Sequence, residues 1–262
     1  DMDPQASLTV WSGRNPDDLG KTTYDALIKG LDSREILLST PMGPDLLPAN
    51  IDLSLAEIEL IHTVNRERRL AGMLAPLRDE YDFVLMDCQP SLGLLTVNAF
   101  AASDEVLVPL VCEFLSTRAV DVLLRFVRKV QVQVNSKLKV AGILPTMFDG
   151  RLRHVRAELD RLEQRFQRKV PVLSDCAVPR SVRFAEAAAL GQSILSYMPG
   201  HAGAEAYRRL AGHLLGDPEA LAKADARRDS GAAPGDGLLL ADEPRIDVFT
   251  RKDGGSDRRR PV

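Results

Sequence analysis

The sequence predicts an α/β protein with a doubly wound, mostly parallel sheet and helices on both faces. Three runs carry that reading. Phe83, Val84, Leu85 and Met86 are too few for a helix but suit a buried parallel strand, and they end in Asp87 and a Pro-Ser-Leu-Gly break. Residues 105–110 and 139–144 are two further apolar runs of strand length. Between them Val120, Leu123, Leu124, Val127 and Val130 recur at helical spacing, so strand, helix and strand alternate as a parallel sheet requires.

The remaining elements follow in order. Thr22 or Thr23 caps a helix with Asp25 in its first turn. Short apolar runs at 36–40 and 45–48 flank the turn residues Pro41, Met42, Gly43 and Pro44 and read as strands. Ser54 with Glu57 reads as a capping box for a helix whose apolar positions are Leu55, Ile58, Leu60 and Ile61. A second helix from Arg66 turns Leu70, Met73, Leu74 and Leu77 inward. Residues 94–102 are helical. The helix at 151–166 places Leu152, Val155, Leu159, Leu162 and Phe166 inside, with arginines and the acids Glu158, Asp160 and Glu163 forming an ion-paired surface. A last helix stops at Gly216, dividing a domain at 1–216 from a tail at 217–262 whose composition suits disorder. In that tail Leu238, Leu239 and Leu240 form a lone apolar triplet, and Arg258, Arg259 and Arg260 offer weak phosphate attraction.

At 262 residues, 45% hydrophobic and 27% charged, the composition is that of a soluble cytoplasmic protein, and no apolar run approaches the ~18 residues of a membrane helix. A net charge of -3 supplies no global field for nucleic acid, so DNA binding would need a local basic patch. Cys88, Cys112 and Cys176 are odd in number, widely spaced and in apolar settings, which points to buried thiols and away from disulfides or metal clusters.

A buried strand ending in aspartate, followed by a turn, is the Walker B arrangement, in which the carboxylate holds Mg²⁺ or its water shell. Gly20-Lys21-Thr22-Thr23 imitates the end of a phosphate-binding loop, but Asn15 stands where the first glycine belongs and Asp17 and Asp18 would repel phosphate.

The run D-C-x-P-S-L-G-x-L-T-x-N-A from Asp87 resembles the ParA family of deviant-Walker partition ATPases, within the ParA/MinD superfamily. Asp1-Met2-Asp3-Pro4-Gln5, Pro48-Ala49-Asn50-Ile51-Asp52-Leu53, Thr146-Met147-Phe148-Asp149, Val178-Pro179-Arg180 and Gly203-Ala204-Glu205-Ala206-Tyr207 fall in the family's order. The resemblance implies a P-loop NTPase-like fold and a sandwich homodimer formed on binding ATP and Mg²⁺. It implies non-specific DNA binding by that dimer and stimulation by a ParB-type centromere-binding protein. By residue, it assigns Mg²⁺ to Asp87, the attacking water to Asp3 and support of the metal shell to Asp1. Met147, Pro179 and Arg180 fall to the nucleotide, and Arg180 and Arg183 to DNA phosphates. Cys112-Glu113 resembles the family's C-E, whose loop borders the nucleotide and partner surface. Ala202 stands where the family often carries an arginine, which weakens the DNA expectation, and Gln89 replaces a common proline. Nothing resembles the basic membrane helix of a MinD-type relative, and the expected location is the cytoplasm, on the nucleoid if DNA is bound.

In the family a K-G-G-x-G-K-T P-loop, its helix and an apolar strand precede D-x-D-P-Q. The chain therefore reads as truncated at its amino end, lacking the first strand and P-loop, with low activity and stability expected of this stretch alone. Two alternatives stay open: a catalytically dead, P-loop-less binding module, and a ParA-like protein that positions a cargo other than DNA.

Overall fold

The computed structural model describes residues 1–217. The expectations for the tail, including Leu238, Leu239, Leu240 and the arginines at 258–260, lie outside the described residues. The chain divides after Ala102 into two compact units.

The first unit holds helices α1 (Ser7–Trp11) and α2 (Thr23–Lys29), strands β1 (Leu38–Ser39) and β2 (Asp45–Leu46), and helices α3 (Leu53–Leu60), α4 (Arg69–Leu74) and α5 (Leu94–Ala102). Thr22 caps α2 as expected, in a capping box with Asp25. The two short strands pair antiparallel around the 41–44 turn. Met2, Leu27, Leu53, Leu60, Leu70 and Leu95 meet in one core, with alanines filling the narrow places. Fully buried Asn98 fixes α5 within it: its amide donates to Arg66 O and Leu94 O at 2.8 and 2.9 Å, and its Oδ1 accepts from Leu70 N at 3.1 Å.

Three expectations for this unit need correction. Helix α3 begins one residue before Ser54, so the Ser54–Glu57 capping box does not form. Its core face is Leu53, Ala56 and Leu60, while Leu55, Ile58 and Ile61 are exposed. Apolar residues lie all round this helix, so periodicity could not choose between the faces. Residues 83–87 do not form a regular buried strand, and Leu85 is 63% exposed. A strand is buried on both faces only where neighbours pair along its length. Here Met2 comes alongside, with a parallel bridge to Cys88 and a 2.8 Å bond from Met2 N to Asp87 O.

The second unit holds β3 (Glu105–Val111), α6 (Ser116–Gln133), β4 (Lys139–Thr146), α7 (Arg153–Phe166), α8 (Arg183–Ala189), α9 (Ile194–Tyr197) and α10 (Ala202–Leu215). Strands β3 and β4 pair in parallel from Glu105 opposite Lys139 to Val111 opposite Thr146, with α6 as the crossover. Parallel bridges from Ile143 to Val172 and from Phe148 to Pro179 continue the sheet beyond β4. The α/β class therefore holds. On α6, Val120, Val127 and Val130 are buried and Leu123 and Leu124 half-buried, as their spacing predicts. Leu144, Leu173, Cys176, Val178, Ala206 and Leu210 form a core beneath α10, which ends on Gly216 at φ 63°, the left-handed stop that glycine favours. On α7, Val155, Leu162 and Phe166 are buried as expected, but Leu152 is exposed and Glu158 is buried. All three cysteines are free thiols.

Candidate functional site

The local fold of 1–9 brings Asp1, Asp3 and Asp87 into one neighbourhood. The bridge between Met2 and Cys88 lays the two segments side by side, which places Asp3 near the end of the 83–87 run. Asp87 is accessible to solvent. Partial burial pushes its carboxyl above the ordinary value, and the like charge of Asp3 pushes it the same way. The Asp3 carboxylate accepts the Gln5 N–H at 2.9 Å, which leaves its second oxygen available for a water.

Asp1 is neither a solvated end nor a free ligand. It is buried, and its Oδ2 accepts both the Thr9 N–H and the Thr9 hydroxyl, at 2.9 and 2.8 Å. Its Oδ1 accepts the Asp3 N–H at 3.1 Å, and the Thr9 hydroxyl oxygen accepts the Ala49 N–H at 3.0 Å. Asp1 therefore spends its lone pairs shaping the loop that carries Asp3.

The turn after Asp87 is pinned at two places. Thr96 donates its hydroxyl to Ser91 O at 2.7 Å, and Glu57 on α3 accepts from Gln89 Nε2 at 3.3 Å and from Leu95 N at 3.5 Å. Between these points the Ser91 hydroxyl is buried with no hydrogen-bond partner among the described residues. A carboxylate and an unsatisfied hydroxyl are hard oxygen donors and fit Mg²⁺. Among the described residues no three His, Cys, Asp or Glu side chains are arranged so that they could hold a metal ion by themselves. An ion at Asp87 would therefore complete its shell with water and phosphate, the usual habit of Mg²⁺.

The second unit carries the other residues singled out in the sequence. Met147 is 62% exposed and sits at φ 48°, a left-handed conformation that costs a side-chain-bearing residue energy. Phe148 accepts the Arg180 N–H at 3.2 Å, so the 146–149 and 178–180 segments lie side by side. The Arg151 guanidinium grips Asp149 with two nitrogens, at 2.9 and 2.7 Å, and holds that carboxyl down at about 2. Arg183 is engaged by Glu186 at 2.7 Å. His201 caps α10 by accepting the Gly203 N–H at 2.9 Å, a local structural role.

Sequence reasoning missed Glu57, Asp1's bonds to Thr9, and buried Glu158. Only Gly93 hinted at the first, since a residue without Cβ beside a helix start permits a close neighbour.

A family profile described as an AAA domain matches residues 1–140. Among curated relatives, an uncharacterised protein of Mycobacterium tuberculosis is 43% identical over 82% of this chain and 67% of its own length. The sporulation initiation inhibitor protein Soj of Bacillus subtilis is 39% identical over 80% of this chain and 83% of its own. The chromosome partitioning protein ParA of Myxococcus xanthus is 38% identical over 82% and 75%. A crystal structure described as cobyrinic acid a,c-diamide synthase from Mycobacterium smegmatis, with bound ADP and magnesium, is 39% identical with a TM-score of 0.65, covering 72% of this chain and 78% of that one.

Proposed function

The chain belongs to the ParA family of P-loop ATPases, and from that premise we propose that it is the Mg²⁺-dependent, ATP-hydrolysing component of a chromosome or plasmid partition system. The observation that carries the reading is that the bridge between Met2 and Cys88 brings the like charges of Asp3 and Asp87 into each other's reach. Phosphoryl transfer needs little covalent help from a protein and much positioning and charge neutralisation. Asp87 holds Mg²⁺, largely through water, and Asp3 orients the water that attacks. Asp1 acts one step back, through Thr9 and the backbone of Asp3. Met147, Pro179 and Arg180 keep the nucleotide role that the resemblance gives them. ATP binding drives dimerisation, and a ParB-type partner stimulates hydrolysis in the cytoplasm.

The DNA-binding part has less support. Arg183 already pairs with Glu186, and Ala202 puts no cation at the start of α10. Those two observations favour the second reading, a positioning ATPase for a cargo other than DNA.

The test uses the protein at the length its gene encodes. We expect Mg·ATP to raise the melting temperature and to be hydrolysed. Asp87→Asn should remove the Mg²⁺ dependence, and Asp3→Ala should keep binding while slowing turnover about 10²-fold. A melting temperature indifferent to Mg·ATP would overturn the ATPase reading and leave the nucleotide-independent binding module in its place.

A further inference from the structure

Helix α3 reaches the turn after Asp87 with the side chain of Glu57, beside the core that Leu53, Ala56 and Leu60 share with Leu95. Oε1 of half-buried Glu57 accepts the Gln89 amide and faces the Leu95 N–H in the first turn of α5. The space it occupies exists because residue 93 is glycine. A Cβ built there would lie 2.1 Å from Glu57 Oε1, 2.9 Å from its Cδ and 3.2 Å from Oε2. Backbone conformation does not demand this glycine, since Gly93 is not among the positive-φ glycines, so the close approach of the carboxylate does. Carboxylate and absent side chain are thus complementary, and the negative charge stands where the α5 dipole favours it. Gln89 adds a bond that a proline at that position has no amide to make.

We propose that Glu57 is a positioning residue that sets the path of residues 89–95, and so the place of Asp87 and the unpartnered Ser91 hydroxyl relative to the phosphate. The catalytic part of this inference rests on the ATPase reading above; the structural part does not. Glu57 acts by holding Gln89 and the start of α5, while Thr96 holds Ser91 O from the other side. Because the turn is tethered to α3, a displacement of α3 displaces the turn.

A mutant cycle with amide exchange tests both parts. In Glu57→Ala, exchange at Leu95 and its neighbours in 89–95 should rise about tenfold, while β3 and β4 keep their protection. Glu57→Gln keeps an acceptor oxygen and should restore the original rates. Gly93→Ala should lower the melting temperature in the unaltered protein, and should cost nothing further once Glu57 is alanine, since the clashing carboxylate is gone. On the gene-length protein, Glu57→Ala should lower kcat for ATP with KM nearly unchanged. Unchanged exchange at 89–95 in Glu57→Ala, or a Gly93→Ala penalty that persists without Glu57, overturns the inference. Faster exchange with unaltered kcat overturns the catalytic part, while leaving the ATPase reading intact. No hydrolysis by the unaltered protein defeats that reading and the catalytic role together, and exchange still decides whether Glu57 holds the turn.

Discussion

Glu158, a residue only 3% exposed, accepts the Thr117 hydroxyl at 2.8 Å. The same oxygen stands 3.4 Å from the Thr117 N–H, in the first turn of α6, and its partner oxygen takes Arg161 at 3.2 Å. A carboxylate survives burial there because a helix start offers unsatisfied N–H groups and a favourable dipole. Glu158→Ala would strand the Thr117 donors, and we expect a loss of about 3 kcal/mol in urea denaturation. Arg161→Ala should cost under about 1 kcal/mol, because that guanidinium is largely in solvent. Burial first, and the Glu158 charge second, push the Cys112 thiol up to about 11, so Glu158→Gln should also speed its alkylation at a fixed alkaline pH.

The Asp149 carboxyl should titrate at about 2 in a side-chain carbon NMR experiment, against an ordinary value of 3.8, with hydrogen bonds from Arg151 as the main cause. Its folded-state value is depressed. Its contribution to stability is therefore complete above the unfolded value and is lost as pH falls from about 4 toward 2. Arg151→Ala should return the midpoint toward the ordinary value and flatten the stability profile in that window. A midpoint that stays near 2 without Arg151 would show that another group holds the carboxylate.

Met147→Gly should stabilise the protein by up to about 1 kcal/mol, because the left-handed backbone no longer opposes a side chain and little packing is lost from so exposed a residue. If the same residue lines the nucleotide, ATP affinity should fall as stability rises. Melting temperature and nucleotide titration on one variant read both effects.

Local rules were legible where one signal acted alone. The 94–102 helix appears at its expected bounds, Thr22 and Asp25 form their cap, and Gly216 ends α10. Helix α3 was not legible, because Leu53 and Leu60 compete with Leu55, Ile58 and Ile61 for the same core and only tertiary contacts decide. Glu158 was hidden by its surroundings, since an acid among arginines reads as surface until a helix end 41 positions away claims it. At the site, Asp87 and Asp3 were visible as motif positions. The bonds from Asp1 to Thr9 and from Glu57 to Gln89 were not, because each joins residues whose identities alone predict no contact.

The register of β3 on β4 also bears on the order in which the second unit folds. Glu105 meets Lys139 only after the whole of α6 has been traversed, and no rung of this ladder can form by zipping out from a tight turn. The loop-closure entropy falls due before the first inter-strand bond returns anything. Early collapse of α6 shortens that loop, so refolding should be limited by how readily the amphipathic helix forms ahead of the sheet. Substitutions on its solvent face that favour or disfavour helix then change the folding rate while leaving every native contact in place.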